Sequence, residues 1–141
     1  MTRVRTSLAA AAMTLALALT GCGSESASTD GNKLSSISVK DGDAKTGPTL
    51  NVGTTPFSVT ETTSKVLKEG TGGVVTDKYL LTINAVIANG TSGATADSTY
   101  ASGAVPIDLS DANLFPAMRK SLTGVKVGSR LLIAAPPADA F

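Results

Sequence analysis

Apolar positions follow one unbroken block and two rhythms along this chain. The block runs from Leu8 to Leu19 with Thr14 as its one polar residue. It covers about twelve positions, where a transmembrane helix needs roughly twenty. From Gly23 to Ser36 there is almost no apolar side chain. Such a stretch buries too little surface to offset its ordering entropy, so it reads as a flexible tether. Alternation begins at Ile37 and Val39, and Asp41-Gly42-Asp43 then signals a turn. Thr49 to Val52 and Phe57 to Val59 read as short strands broken by Gly53 and Pro56. Thr62 to Lys68 is rich in strand formers and closes at Glu69-Gly70.

The clearest strand signal is Lys78 to Ala88. Tyr79, Leu81, Ile83, Ala85 and Ile87 share one face at period two, and Asn89-Gly90 follows as a turn. Asp97 to Gly103 reads as a loop, and Val105 to Leu109 as another short strand. The second rhythm, a spacing of four, occurs once, at Leu114, Met118 and Leu122. With Pro116 suited to a first turn and Gly124 as a stop, it predicts a helix over Pro116 to Leu122. Ser129 to Ala135 is an apolar strand ended by Pro136-Pro137. The expected fold class is α+β, an antiparallel sheet around one short helix. The expected organisation is a leader over 1–21, a tether over 22–49 and a folded domain over 50–141.

Composition narrows the chemistry. The chain has 141 residues, one Cys and no His. Neither a Ser-His-Asp triad nor a Cys-His dyad can be assembled, and a zinc site is not expected. The net charge is +1; the two arginines of the leader stand beside no acid, so the remainder carries −1. A near-neutral chain lacks the basic footprint of a nucleic-acid binder, and no nucleic-acid partner is expected.

The leader has its own grammar. Arg3 and Arg5 precede the apolar block, and Leu19-Thr20-Gly21-Cys22 follows it. This is a signal-peptide pattern. Its end resembles the bacterial lipobox, an aliphatic residue, two small residues and then Cys. The resemblance implies cleavage before Cys22 and a lipid on its thiol. The expected location is then extracytoplasmic, anchored to the bacterial cell membrane through that lipid. A plain secretory signal with Cys22 as a bystander is the alternative.

Two further segments carry a resemblance. Lys65-Val-Leu-Lys-Glu-Gly70, continued by Thr71-Gly72, is one. Leu122-Thr-Gly-Val-Lys-Val-Gly-Ser-Arg-Leu-Leu-Ile-Ala-Ala-Pro-Pro-Ala-Asp-Ala-Phe141 is the other. Together with their order and spacing they resemble the FKBP-type peptidyl-prolyl cis-trans isomerases over about residues 64–141. The resemblance implies an antiparallel sheet wrapped around one short helix. It implies rotation about X-Pro bonds in unfolded, proline-containing polypeptides, and so assistance to secreted chains as they fold. That chemistry needs no cofactor and no metal. It needs an apolar pocket and dipoles that favour the twisted amide.

Carried over residue by residue, the resemblance places Leu114 and Phe115 before the helix, the Phe115 N–H facing a substrate carbonyl. Met118 becomes the pocket floor, Ile83 and Val105 its walls, Asp97 the surviving acid of an aromatic-acid pair, and Phe141 a ring without its hydroxyl. Asp97, Phe115 and Phe141 are thus the expected catalytic positions; Ile83, Val105, Leu114 and Met118 would bind substrate. Ala96 and Ile83 stand where the family has aromatic rings, each loss removing roughly 1.5–3 kcal/mol of burial. The resemblance also implies that a Gly, a loop and a final strand would follow Phe141, making the 50–141 domain incomplete. Plainer readings exist. Asp97 suits any polar turn, Ile83 any sheet core, and the Leu114–Met118–Leu122 stripe any helix packed on a sheet. Two other functions therefore stay open: a non-catalytic binding or chaperone lipoprotein on the same scaffold, and a structural or solute-binding envelope domain.

Overall fold

The computed structural model describes residues 33–140. The leader, Cys22 and Phe141 lie outside them. The elements begin with a short 3-10 turn, Leu34–Ser36, followed by β1 (Ser38–Lys40) and β2 (Thr49–Asn51). Next come β3 (Thr63–Lys68), β4 (Leu80–Ile83), β5 (Val86–Ala88), β6 (Thr95–Ser98) and β7 (Val105–Asp108). The chain continues with α1 (Pro116–Leu122), β8 (Arg130–Ala134) and α2 (Pro137–Ala140). The architecture is mixed α+β. Among the described residues, antiparallel pairs form four two-stranded ladders: β1–β2, β3–β8, β4–β7 and β5–β6.

β8 organises the interior. Its sequence, Arg-Leu-Leu-Ile-Ala, has no polar residue after Arg130. A strand with one wet face alternates; a strand covered on both faces does not. Leu132 and Ala134 point to one core, where they meet buried Leu34 and Val59. Ile37, Val39, Leu50 and Phe57 complete that core. Leu131 packs against a second core of Val75, Leu109 and Leu122. The uninterrupted apolar run is the signature of that double coverage.

The first core moves the expected domain boundary. Leu34 is only 2% exposed, and β1 pairs with β2 from Ser38↔Asn51 to Lys40↔Thr49. A tether reaching residue 49 would cut this hairpin in two. The packed structure starts by Leu34, because that leucine and the Ile37–Val39 alternation supply the apolar surface that covers Leu132 and Ala134.

The long strand expected over Lys78 to Ala88 is two strands. β4 pairs with β7, but after Asn84 the chain changes partner. The Ala85 N–H donates to Thr99 Oγ1 at 2.9 Å, and Ala85 O accepts from the Thr99 N–H at 3.0 Å. The break also shifts the phase. Leu81 and Ile83 are half-buried in β4, whereas β5 turns Val86 and Ala88 inward and leaves Ile87 53% exposed. A slip of one residue moves every following side chain to the opposite face. Ile87 therefore leaves the core face that strict alternation assigned to it.

The segment from Asp97 onward is likewise no simple loop. Asp97 lies in β6, opposite Ile87. Its Thr-Ala-Asp-Ser sequence is polar because the strand is almost wholly exposed, and ladder hydrogen bonds hold it despite its poor strand propensity.

The helix is where its spacing predicts. Leu122 is buried, and Leu114 and Met118 pack around the same core with Leu81 of β4 and Ile107 of β7. Arg119 ties the helix to the exit of β7: its Nε donates to Leu109 O at 3.2 Å, and its Nη2 donates to Asp111 O. Ser121 is buried on α1, and its hydroxyl has no hydrogen-bond partner among the described residues.

Candidate functional site

The two segments that carry the resemblance lie against each other. β3 pairs with β8 from Thr63↔Ala134 to Lys68↔Arg130, with an irregularity between Val66 and Lys68. Beyond the ladder, the Gly72 N–H donates to Val127 O at 3.0 Å, and the Val75 N–H to Val125 O at 2.8 Å. The Gly70 N–H donates to Ser129 Oγ at 2.9 Å. A Cβ on Gly70 would sit 2.2 Å from Val127 O, so the backbones approach closely only because residue 70 has no side chain.

The face of the β4–β7 ladder next to α1 carries two of the predicted residues, Ile83 and Val105. Leu81 pairs with Ile107, and Ile83 with Val105. Side chains two apart on a strand share a face, so these four form one apolar strip. Its Leu81–Ile107 end touches the core that holds Leu114 and Met118. Ile83 and Val105 extend the strip away from that contact, both half-buried. The opposite face of the ladder carries Leu80, Thr82, Pro106 and Asp108, and Leu80 is 71% exposed.

Phe115 sits at the helix start, just outside the buried stripe, with 48% of its surface exposed. Its carbonyl accepts from the Met118 N–H at 3.0 Å and more weakly from the Arg119 N–H at 3.4 Å.

Asp97 is placed apart from this group. It stands on the β5–β6 hairpin, exposed, with its Oδ1 accepting from the Ser98 N–H at 2.7 Å. The structure thus pairs Ile83 with Val105 on the β4–β7 ladder, packs Leu114 and Met118 around the core that holds Leu81 and Ile107, leaves Phe115 half-exposed at the helix start, and puts Asp97 on the neighbouring hairpin. Phe141 is outside the described residues.

Electrostatics around the strip are set by short-range hydrogen bonds. Asp108, at the end of β7, accepts from Ser110 Oγ at 2.6 Å and from the Ser110 N–H at 2.9 Å. The hydroxyl, then the amide, hold its carboxyl below the usual aspartate value. Farther off, Asp139 of α2 is lowered first by the Thr62 hydroxyl at 2.5 Å and then by Lys120 Nζ at 2.9 Å. Among the described residues no three His, Cys, Asp or Glu side chains gather as a metal site would require. No described helix is long and apolar enough to cross a membrane.

Surface hollows fall elsewhere. One of about 390 Å³ is lined by Ile37, Val39, Asp41, Leu67, Lys68 and Arg130, with Arg130 paired to Asp41. Another, of about 260 Å³, includes Lys33, Pro56 and Phe57. None of the predicted site residues lines either. The first hollow was not foreseen; the Ile37–Val39 alternation signals its floor, but nothing local predicts that β1 lies beside β3 and β8.

No family model, no curated protein and no solved structure matches the chain.

Proposed function

We propose that this chain is a lipid-anchored peptidyl-prolyl cis-trans isomerase acting on proline-containing, unfolded polypeptides outside the cytoplasmic membrane. The observation that carries the reading is the apolar strip. Ile83 and Val105, which the resemblance assigns to the pocket walls, are direct cross-strand partners. They continue the strip that Leu114 and Met118 adjoin through Leu81 and Ile107, and Phe115 stands half-exposed at the helix start. A prolyl ring laid on that strip would lose water around its own carbons and around Phe115.

The chemistry asks little of the protein. The X-Pro bond prefers trans by only about 0.5–1 kcal/mol, but rotation crosses a barrier near 18–20 kcal/mol. Uncatalysed exchange takes roughly 10–100 s and limits folding. In the twisted amide the nitrogen no longer conjugates with the carbonyl, so an apolar surround favours it over the planar, more polar amide. The Phe115 N–H would hold the substrate carbonyl during rotation. The lipid on Cys22 keeps this activity where exported chains emerge unfolded.

A second reading is favoured by the position of the hollows. No site residue lines either one, and Ala96 and Ile83 stand where the resemblance expects rings. A strip without enclosing walls suits a module that holds unfolded clients without turning them over.

The deciding measurement is cis-to-trans conversion of a proline-containing peptide, followed with the full chain by a coupled protease or by exchange NMR. Acceleration over buffer that is lost in Phe115→Ala supports the isomerase. Binding of an unfolded client without acceleration selects the second reading. Neither acceleration nor binding removes both. Growth with a labelled lipid precursor tests the anchor: label is expected on the chain and absent in Cys22→Ser.

A further inference from the structure

We propose that Asn89 is a site of spontaneous deamidation and isomerisation, placed at the tip of the β5–β6 hairpin. Asn89 is exposed and is followed by Gly90. Its side-chain carbonyl oxygen accepts from the Thr91 N–H at 2.8 Å and from the Ser92 N–H at 3.3 Å. These two donors fold the carboxamide back over the following backbone. They also polarise the Cγ=Oδ1 bond and stand ready to stabilise negative charge on Oδ1, as any preorganised donor pair does for a tetrahedral intermediate. The Gly90 N–H, the group that would attack, has no partner among the described residues. No side chain on residue 90 shields it.

The step balances without a further reagent. The Gly90 amide nitrogen gives up its proton and bonds to Asn89 Cγ. The Cγ–Nδ2 bond breaks, and ammonia leaves with that proton. A water molecule then opens the cyclic imide at either carbonyl, giving aspartate or isoaspartate.

The chain contains its own control. Asn51 has the same local turn, its Oδ1 accepting from the Gly53 N–H at 2.9 Å, but it is followed by Val52. Asn84 is followed by Ala85, and Asn113 by Leu114. Gly90 is nonetheless required where it is. A Cβ there would come 2.5 Å from Phe57 O, and Gly90 O accepts from the Phe57 N–H at 2.8 Å. The packing that demands glycine at 90 is thus what exposes Asn89 to attack. It also restrains the reaction, since Asn89 N–H donates to Ala94 O at 2.8 Å and Asn89 O accepts from the Gly93 N–H at 2.7 Å. Conversion in the folded chain is therefore slower than in an unfolded peptide.

Isoaspartate adds a methylene to the main chain between these two anchors. The hairpin tip loosens, and with it the ladder that holds Asp97 opposite Ile87. The conversion depends on the hairpin alone and not on any activity of the chain.

The experiment is incubation of the full chain in mildly alkaline buffer, with peptide mapping by mass spectrometry and isoaspartate detection by enzymatic methylation. The amide of Asn89 is expected to be lost ahead of those of Asn51, Asn84 and Asn113, with isoaspartate in the product. Asn89→Gln should abolish the methylation signal in the peptide that spans residue 89 while keeping the far-UV circular dichroism of the parent. Retention of Asn89 through an incubation many times longer than the one that converts an unstructured Asn-Gly peptide overturns the proposal. So does conversion of Asn51 at the same rate.

Discussion

The two cores of this molecule share one strand and little else. The core on one face of β8 is built from the arm at 33–59, whose Leu34 and Val59 close over Leu132 and Ala134. The core on the other face collects Val75, Leu109 and Leu122, with the strip residues Leu81 and Ile107 beside the helix. Only the second belongs to the segments that motivate the isomerase reading. Leu34 is nevertheless as well buried as Leu109, at 2% and 1% exposed. The arm is thus structural in the same sense as the helix side, and a boundary drawn at the edge of the resemblance would remove half of what covers β8.

Leu109→Ala is expected to have the largest effect, about 2–5 kcal/mol, because it leaves a cavity in the core beside the helix. Denaturant unfolding followed by circular dichroism reads it. Leu34→Ala belongs to the same class of change, with a cost of about 2–5 kcal/mol. Its shape matters more than its size. If the arm and the helix side unfold together, the transition stays single and the slope against denaturant is unchanged. A broadened or split transition would make the arm a separate unit. The double variant sharpens the point further, since residues in independent cores add and residues coupled through β8 do not.

Ser121→Ala should go the other way. The hydroxyl is buried without a partner, which costs about 1–3 kcal/mol, and Ala is the better helix former. Thermal melting of this variant is expected to rise. A fall would mean that the hydroxyl has a partner in solution.

Smallest is the contribution of Asp139, which joins α2 to β3 through Thr62 and to α1 through Lys120. Its folded carboxyl titrates below the ordinary value of 3.8. A lowered value means the charged form is favoured by folding. The stabilisation is therefore complete above that ordinary value and is lost as the pH falls through the lowered one. Asp139→Asn should flatten the acid limb of the stability profile and leave stability near neutral pH only slightly reduced.

Much of the local structure is legible from residue order. The helix is visible because proline, a four-residue stripe and a glycine stop all agree at 116–124. β8 is visible because its apolar run is too short for a buried helix. The misreadings share one cause. Period two assigns Ile87 to the inside, but the chain changes partner at Asn84–Ala85, and partner choice depends on Thr99, which no local window includes. Likewise Leu34 looks like one leucine in a polar tether until β8 is brought beside it. Of the site, the pairing of Ile83 with Val105 follows from two adequate strand signals. The separation of Asp97 does not, because it rests on the same change of partner.

The double coverage of β8 also has a consequence in time. A ribosome makes the arm well before β8. About a hundred positions separate Leu34 from the strand that buries it, which at typical synthesis rates is a wait of roughly 5–20 s. During that interval Leu34, Ile37, Val39 and Phe57 lack the strand they pack against, and their apolar side chains stay open to water. A strand that completes both cores at once delays the packing of the segments made before it.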